Sequence, residues 1–195
     1  MPAKTSYPCW TVLLLGGWLA GTLFMWAVAT QNFRLVDRLL VAPTAEWGQR
    51  AAPLAAGDAR LLMRYQASEI NRLFFGRWGW VQLGLSAGLL WLVFQSRADP
   101  VLRVLAVGMA AIAAALQFLV VPEVVELGRL LDFAPRAPDP PQAARFWRLH
   151  HSYTGLDLAK WLLGVAAVVR LARQTYLSGP VGGKQVAAVL QELPP

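Results

Sequence analysis

Between Lys4 and Arg34 the chain carries no charge, and the windows 78–96 (Arg77 to Arg97) and 104–122 (Arg103 to Glu123) are each 19 uncharged residues long. A helix rises about 1.5 Å per residue and a bilayer's hydrocarbon core is about 30 Å thick, so about 20 mainly apolar residues suffice to cross. A water-soluble helix would set a strongly polar face against solvent, and these windows have none. The pattern predicts three spanning helices, at about 10–30, 78–96 and 104–122.

A fourth span is predicted at about 153–172. The run Trp161 to Val169 is purely apolar but too short alone, and extending it back to Tyr153 takes in Asp157 and Lys160. An isolated charge in the bilayer costs about 2.5–3.5 kcal/mol. These two are three residues apart, so they share a helix face and can pair or turn toward protein. The alternative is an interfacial helix. The expected fold class is therefore all-α: an integral membrane four-helix bundle with amphipathic helical loop segments. It forms one domain over residues 1–177, and residues 178–195 make a flexible C-terminal tail.

Composition supports a membrane setting. Of 195 residues, 56% are hydrophobic and 15% charged, against about 25% charged in a typical soluble domain. The 18 basic residues, mostly Arg, exceed the 11 acidic ones, for a net charge of +7. They lie between apolar runs instead of lining one polar helix, which suits lipid phosphates and argues against nucleic acid. The one cysteine, Cys9, allows neither an intrachain disulfide nor a cysteine metal cluster. Nine Trp suit the membrane interface, where an apolar ring keeps its N–H near polar partners.

The first span has features of a signal peptide, with Lys4 before it and Ala27-Val28-Ala29 near its end. Its apolar run is longer than a usual signal core, so it is read as retained. Ser6-Tyr7-Pro8 before Cys9 is not a lipoprotein cleavage box. Residues 51–57, with Pro53 and Gly57, are expected to break the chain. From Asp58 onward, Met63, Ala67, Ile70 and Phe74 fall at helical spacing, with Arg64 and Arg72 on other faces. This predicts an amphipathic helix running into the second span. Four prolines make 134–141 irregular, and Gln142 begins the helix leading to the fourth span. The tail has room for one short helix, Lys184 to Leu190.

Gly17 and Gly21, Gly84 and Gly88, and Ala111 and Ala115 are pairs of small residues four apart, one pair in each of the first three spans. Such spacing lets helix backbones approach closely in lipid. Four spans put both termini on one side. Eleven Arg fall in the two long connections and would place them in the cytoplasm, while the tight Arg97–Arg103 turn argues for the opposite orientation.

Few residues here carry chemistry. The only histidines, His150 and His151, are adjacent, so on a regular helix they point about 100° apart and are poorly placed to share a metal. His150 alone leaves room for single-histidine ligation of a haem or pigment, but no cofactor is required. Glu123 and Glu126 lie three apart after the third span, where they could approach His150 or pair with Arg129 or a loop Arg. Two carboxylates and one His are half of a carboxylate-rich metal site, so no metal is expected. His150, Tyr153, Asp157 and Lys160, spaced three, four and three, share one face of the fourth helix, with Glu69 and Asn71 as candidate partners. Buried polar groups in lipid are expensive, so this face predicts either a polar pocket or docking against another helix or subunit. No phosphate-binding glycine loop, nucleophile elbow or zinc-protease motif is present.

The stretch Arg148-Leu149-His150, with Tyr153, Asp157 and the Leu-rich sequence after them, resembles the last helix of bacterial membrane proteins similar to transmembrane protein 205. Glu69-Ile70-Asn71 before a Trp-rich second span, and a long first span ending near Phe33, are similar too. The likeness covers about residues 10–172. This chain has Tyr153 and Asp157 where the family pattern leads one to expect a small polar residue and an Asn. The resemblance implies a four-helix membrane bundle and no established reaction.

These readings converge on a non-enzymatic, multi-pass protein of the bacterial inner membrane. Its expected partners are the lipid bilayer and other membrane subunits, and its expected role is an accessory or scaffold subunit. The alternatives are a small-molecule or ion transporter using the polar face of the fourth helix, and a haem- or metal-binding redox protein using His150.

Overall fold

The computed structural model describes residues 9–54, 57–96, 99–134 and 140–178. Among these residues the chain is all-helical, with four long helices and one short one. α1 covers Cys9–Val41, α2 Ala45–Ala51, α3 Asp58–Gln95 and α4 Pro100–Leu131; α5 covers Pro141–Ser178. The tail segment 184–190 and most of the proline-rich stretch lie outside the described residues.

Local chemistry explains the boundaries. Thr44 caps α2 by accepting from the Trp47 N–H at 3.3 Å. Gly57, at φ 99°, makes the left-handed turn into α3 that a side chain would strain. Asp99 caps α4, accepting from the Val101 and Leu102 N–H groups at 2.7 and 3.3 Å, and Pro100 takes the first turn, where no N–H is needed. α4 widens into a π turn at Leu116–Val120, where the Val121 N–H donates to the Leu116 carbonyl five residues back. Pro122 follows at once. Its ring lacks an N–H and crowds the preceding turn, and the wider turn accommodates it without breaking the helix.

α3 is one helix of 38 residues through the amphipathic stretch and the window 78–96, in line with the sequence reading. α1 differs from expectation by continuing past Thr30 to Val41. The added turns are held by α3: Val36 is buried and Asn32 bonds to Asn71. Asp37 also meets Arg60 and Arg64, in exposed pairs that contribute little.

The long helices pack in a ring, α1 on α3, α3 on α4, α4 on α5 and α5 on α1. Contacts such as Trp18 with Gln82 and Asn32 with Asn71 run in opposite directions along α1 and α3, so these neighbours are antiparallel. Arg72 with Asp132 against Gly79 with Gln117 shows the same for α3 and α4. The core between them holds Leu15, Trp18, Leu89, Leu102, Met109 and Ala167. α1 and α4 are long and apolar enough to cross a membrane. Only 22% and 28% of their most apolar windows are buried, whereas a core helix of a soluble protein would be mostly buried. The α3 window is more mixed, because Gln82, Ser86 and Gln95 interrupt its apolar residues.

Candidate functional site

The polar face of α5 divides in two. Asp157 and Lys160 point into the bundle, and both are 1% exposed. The Lys160 ammonium donates to the Asp157 carboxylate and to Gln82 Oε1 of α3. The same Gln82 oxygen accepts from Trp18 Nε1 at 3.0 Å, and Asp157 Oδ2 accepts from Trp26 Nε1 at 2.7 Å. The Lys160 Nζ also lies 5.9 Å from the Trp18 ring centroid, within reach of its negative face. Desolvating an ion pair costs several kcal/mol per charge, and the pair is tolerable only when its remaining donors and acceptors are met. Two indoles and one amide meet them here, so the cluster is a closed tie joining α1, α3 and α5.

Beside it, Gln117 lies over Gly79, where a Cβ would sit 1.7 Å from Gln117 Oε1. That oxygen is buried and has no hydrogen-bond partner among the described residues. A glycine in α3 therefore makes room for a polar side chain on the π turn of α4.

His150 and Tyr153, the other half of the face, line a cavity of about 350 Å³ among α1, α3, α4 and α5. Phe33, Phe75 and Phe146 supply much of its wall. The His150 ring stacks on Phe146 at 5.8 Å, and Tyr153 meets Phe75 edge-on at 5.6 Å. Burial, and then the neighbouring His151, hold the His150 imidazole below its ordinary pKa, so it is neutral at pH 7.

Next to the cavity, Arg72 clamps α3 to α4. Its Nη1 and Nη2 fork onto the Asp132 carboxylate at 2.7 and 2.8 Å, and Nη1 also donates to Glu69 at 2.6 Å. Burial pushes the guanidinium down, but the bonds to Asp132 and Glu69 outweigh it and raise its pKa. The hydrogen bonds from Arg72 and then Arg129 hold the Glu69 carboxyl below its ordinary value. At the opposite end Asp99 accepts from Gln174 and, at 3.2 Å, from Arg170. Burial raises the Asp99 carboxyl, and these bonds with two backbone N–H groups outweigh it, leaving it lowered.

The other residues singled out in the sequence fall as follows. Glu69 and Asn71 do not bond the α5 face: Glu69 serves Arg72, and Asn71 joins Asn32 at 2.6 Å and the Ala29 carbonyl at 3.3 Å. Asn71 and Arg72 instead line the cavity together with His150 and Tyr153. Glu123 pairs with Arg145 of α5 instead of Arg129, and Glu126 is exposed. Among the described residues no three His, Cys, Asp or Glu side chains converge to hold a metal.

Of the small-residue pairs, one glycine of each of the first two is packed. A Cβ on Gly21 would lie 2.3 Å from Trp78, and one on Gly88 3.4 Å from Leu14. Gly17 and Gly84 meet nothing within 4 Å and are exposed, as is Ala111, while Ala115 is half-buried. The four-residue spacing turns through about 400°, so two members share a broad face, yet only one member of each glycine pair lies against a neighbouring side chain.

Sequence patterning does not single out Trp18, Trp26, Gln82, Asn32, Arg72 and Asp132, which the fold brings into these contacts. Gln82 was visible as an amide inside an uncharged window, a costly choice unless it has a partner. Tryptophan suits the membrane interface, whereas Trp18 and Trp26 turn their N–H groups inward. In comparisons with protein-family models, curated proteins and solved structures, none matches this chain.

Proposed function

We propose that this chain is an integral membrane protein whose four long helices cross the bilayer as a four-helix bundle. Its role is non-catalytic, that of an accessory or scaffold subunit held against other helices, with the bacterial inner membrane as its setting. The observation that carries this reading is inverted polarity. A charged pair, Asp157 and Lys160, is sealed inside, while Trp80, Trp91, Phe94, Phe118 and Leu119 are more than half exposed outside. In water each exposed apolar side chain forgoes about 25 cal/mol per Å², a penalty that lipid removes. The subunit role draws on Gly17 and Gly84, whose outward surfaces leave open space for another helix to approach.

Alkaline carbonate washing of membranes, followed by purification in mild detergent, tests both halves. The chain is expected to stay in the pellet and then to elute with other membrane proteins. The double variant Gly17→Leu with Gly84→Leu should lose those partners and stay membrane-bound. Release by carbonate overturns the membrane reading, and elution of the chain alone overturns the subunit reading.

The cavity of about 350 Å³ favours a second reading, the binding or passage of a small molecule. It lies within the range of small-molecule sites, about 300–1,000 Å³.

A further inference from the structure

The cavity walls narrow the ligand's chemistry. Three phenyl rings, from Phe33, Phe75 and Phe146, together with the Tyr153 ring, favour a flat conjugated molecule over a flexible chain. The polar groups on its lining fall into two sets. Thr30, Asn71 and Arg72 are engaged elsewhere: Thr30 with the Trp26 carbonyl, Asn71 with Asn32 and the Ala29 carbonyl, and Arg72 with Glu69 and Asp132. The hydroxyls of Ser68 and Tyr153 and the His150 ring nitrogens have no hydrogen-bond partner among the described residues, although all three line the cavity. Each can donate a hydrogen bond.

Charge excludes a strong preference for anions. Arg72 and Arg129 are balanced by Glu69 and Asp132, so the cluster beside the cavity is neutral. The remaining need is for an uncharged acceptor that meets free donors between aromatic walls. We infer that this cavity binds a flat, uncharged, apolar molecule bearing a carbonyl, of the quinone type, with Tyr153 and His150 or Ser68 donating to its oxygen. The inference rests on the small-molecule reading of the cavity and specifies its ligand.

The test uses the full chain in lipid nanodiscs and two radiolabelled probes of one shape. One is a dimethylated naphthoquinone with both positions beside the carbonyls blocked, so that Cys9 cannot add to it. The other is dimethylnaphthalene, which lacks the oxygens. Bound probe is measured by equilibrium filtration, with empty nanodiscs subtracted.

The quinone is expected to saturate at one per chain and to bind at least tenfold more tightly than the hydrocarbon. Tyr153→Phe should weaken the quinone about tenfold, the equivalent of one hydrogen bond, and leave the hydrocarbon unchanged. Filling the cavity by Val124→Trp, or by the milder Val125→Phe, should abolish saturable binding of both probes, with monodisperse elution showing that each variant is folded. Equal, saturable binding of the two probes overturns the carbonyl assignment and leaves the cavity reading standing. Binding that never saturates, or that survives both filling variants, overturns both.

Discussion

Lys160 of α5 and Trp18 of α1 converge on a single acceptor, the Gln82 side-chain oxygen of α3, with the lysine also bound to Asp157 one turn earlier in its own helix. Three helices are therefore tied at one buried point. Removing one charge leaves the other unpaired in a dry interior, which costs about 3–5 kcal/mol. Asp157→Asn and Lys160→Met are each expected to lower the midpoint of unfolding in mild detergent sharply. The double variant should recover most of the loss, because no buried charge is left. A double variant as unstable as the sum of the two singles contradicts this account.

Glycines at two neighbouring turns of α1 should respond oppositely to the same change. At Gly21 a methyl group would meet the Trp78 ring at 2.3 Å, so Gly21→Ala must displace a half-buried indole. A loss of about 1–3 kcal/mol is expected. At Gly17 there is open space, and Gly17→Ala should gain up to about 1 kcal/mol of helix propensity. Thermal unfolding of the two variants in the same detergent compares them directly.

Acid should loosen the α3–α4 end. Glu69 has a lowered pKa in the fold, so the stability it contributes is fully present above its ordinary value of 4.5 and is lost as pH falls through the lower folded value. His150, also lowered, acts in the same direction from pH 6.5 downward, because the fold holds its imidazole neutral. Unfolding midpoints should therefore fall from pH 7 to pH 4. Glu69→Gln should flatten the lower part of that curve, and His150→Phe the upper part.

The proposed four crossings imply a definite topology. In a Cys9→Ala background, Ser96→Cys should label from one side of sealed vesicles with a membrane-impermeant maleimide, and Leu54→Cys from the other. Thr44→Cys should follow Leu54. Labelling of positions 54 and 96 from the same side contradicts the odd number of crossings between them.

Each feature legible in the sequence came from a local rule. Charge-free windows of fixed length gave the helices of α3 and α4 their apolar stretches, and Gly57 marked the break before α3. The three-residue spacing of Asp157 and Lys160 placed them on one face, and they do bond to each other. The extension of α1 to Val41 was not legible, because its polar residues read as loop until α3 lies alongside to bury Val36 and receive Asn32.

What the sequence determined by itself is the apolar stretch of each long helix, since that follows from residues within a few turns of one another. Only the tertiary structure decided which partners meet. Gln82 reaches Lys160 across 78 residues and Trp26 reaches Asp157 across 131. The physical reason is that such meetings depend on how far one helix slides and rotates against its neighbour. A shift of one residue turns a side chain by about 100°. Tyr153 and Asp157 lie only about 40° apart around α5 and about 6 Å apart along it, yet one lines a cavity and the other sits in a sealed core, and no periodicity within α5 could have distinguished them.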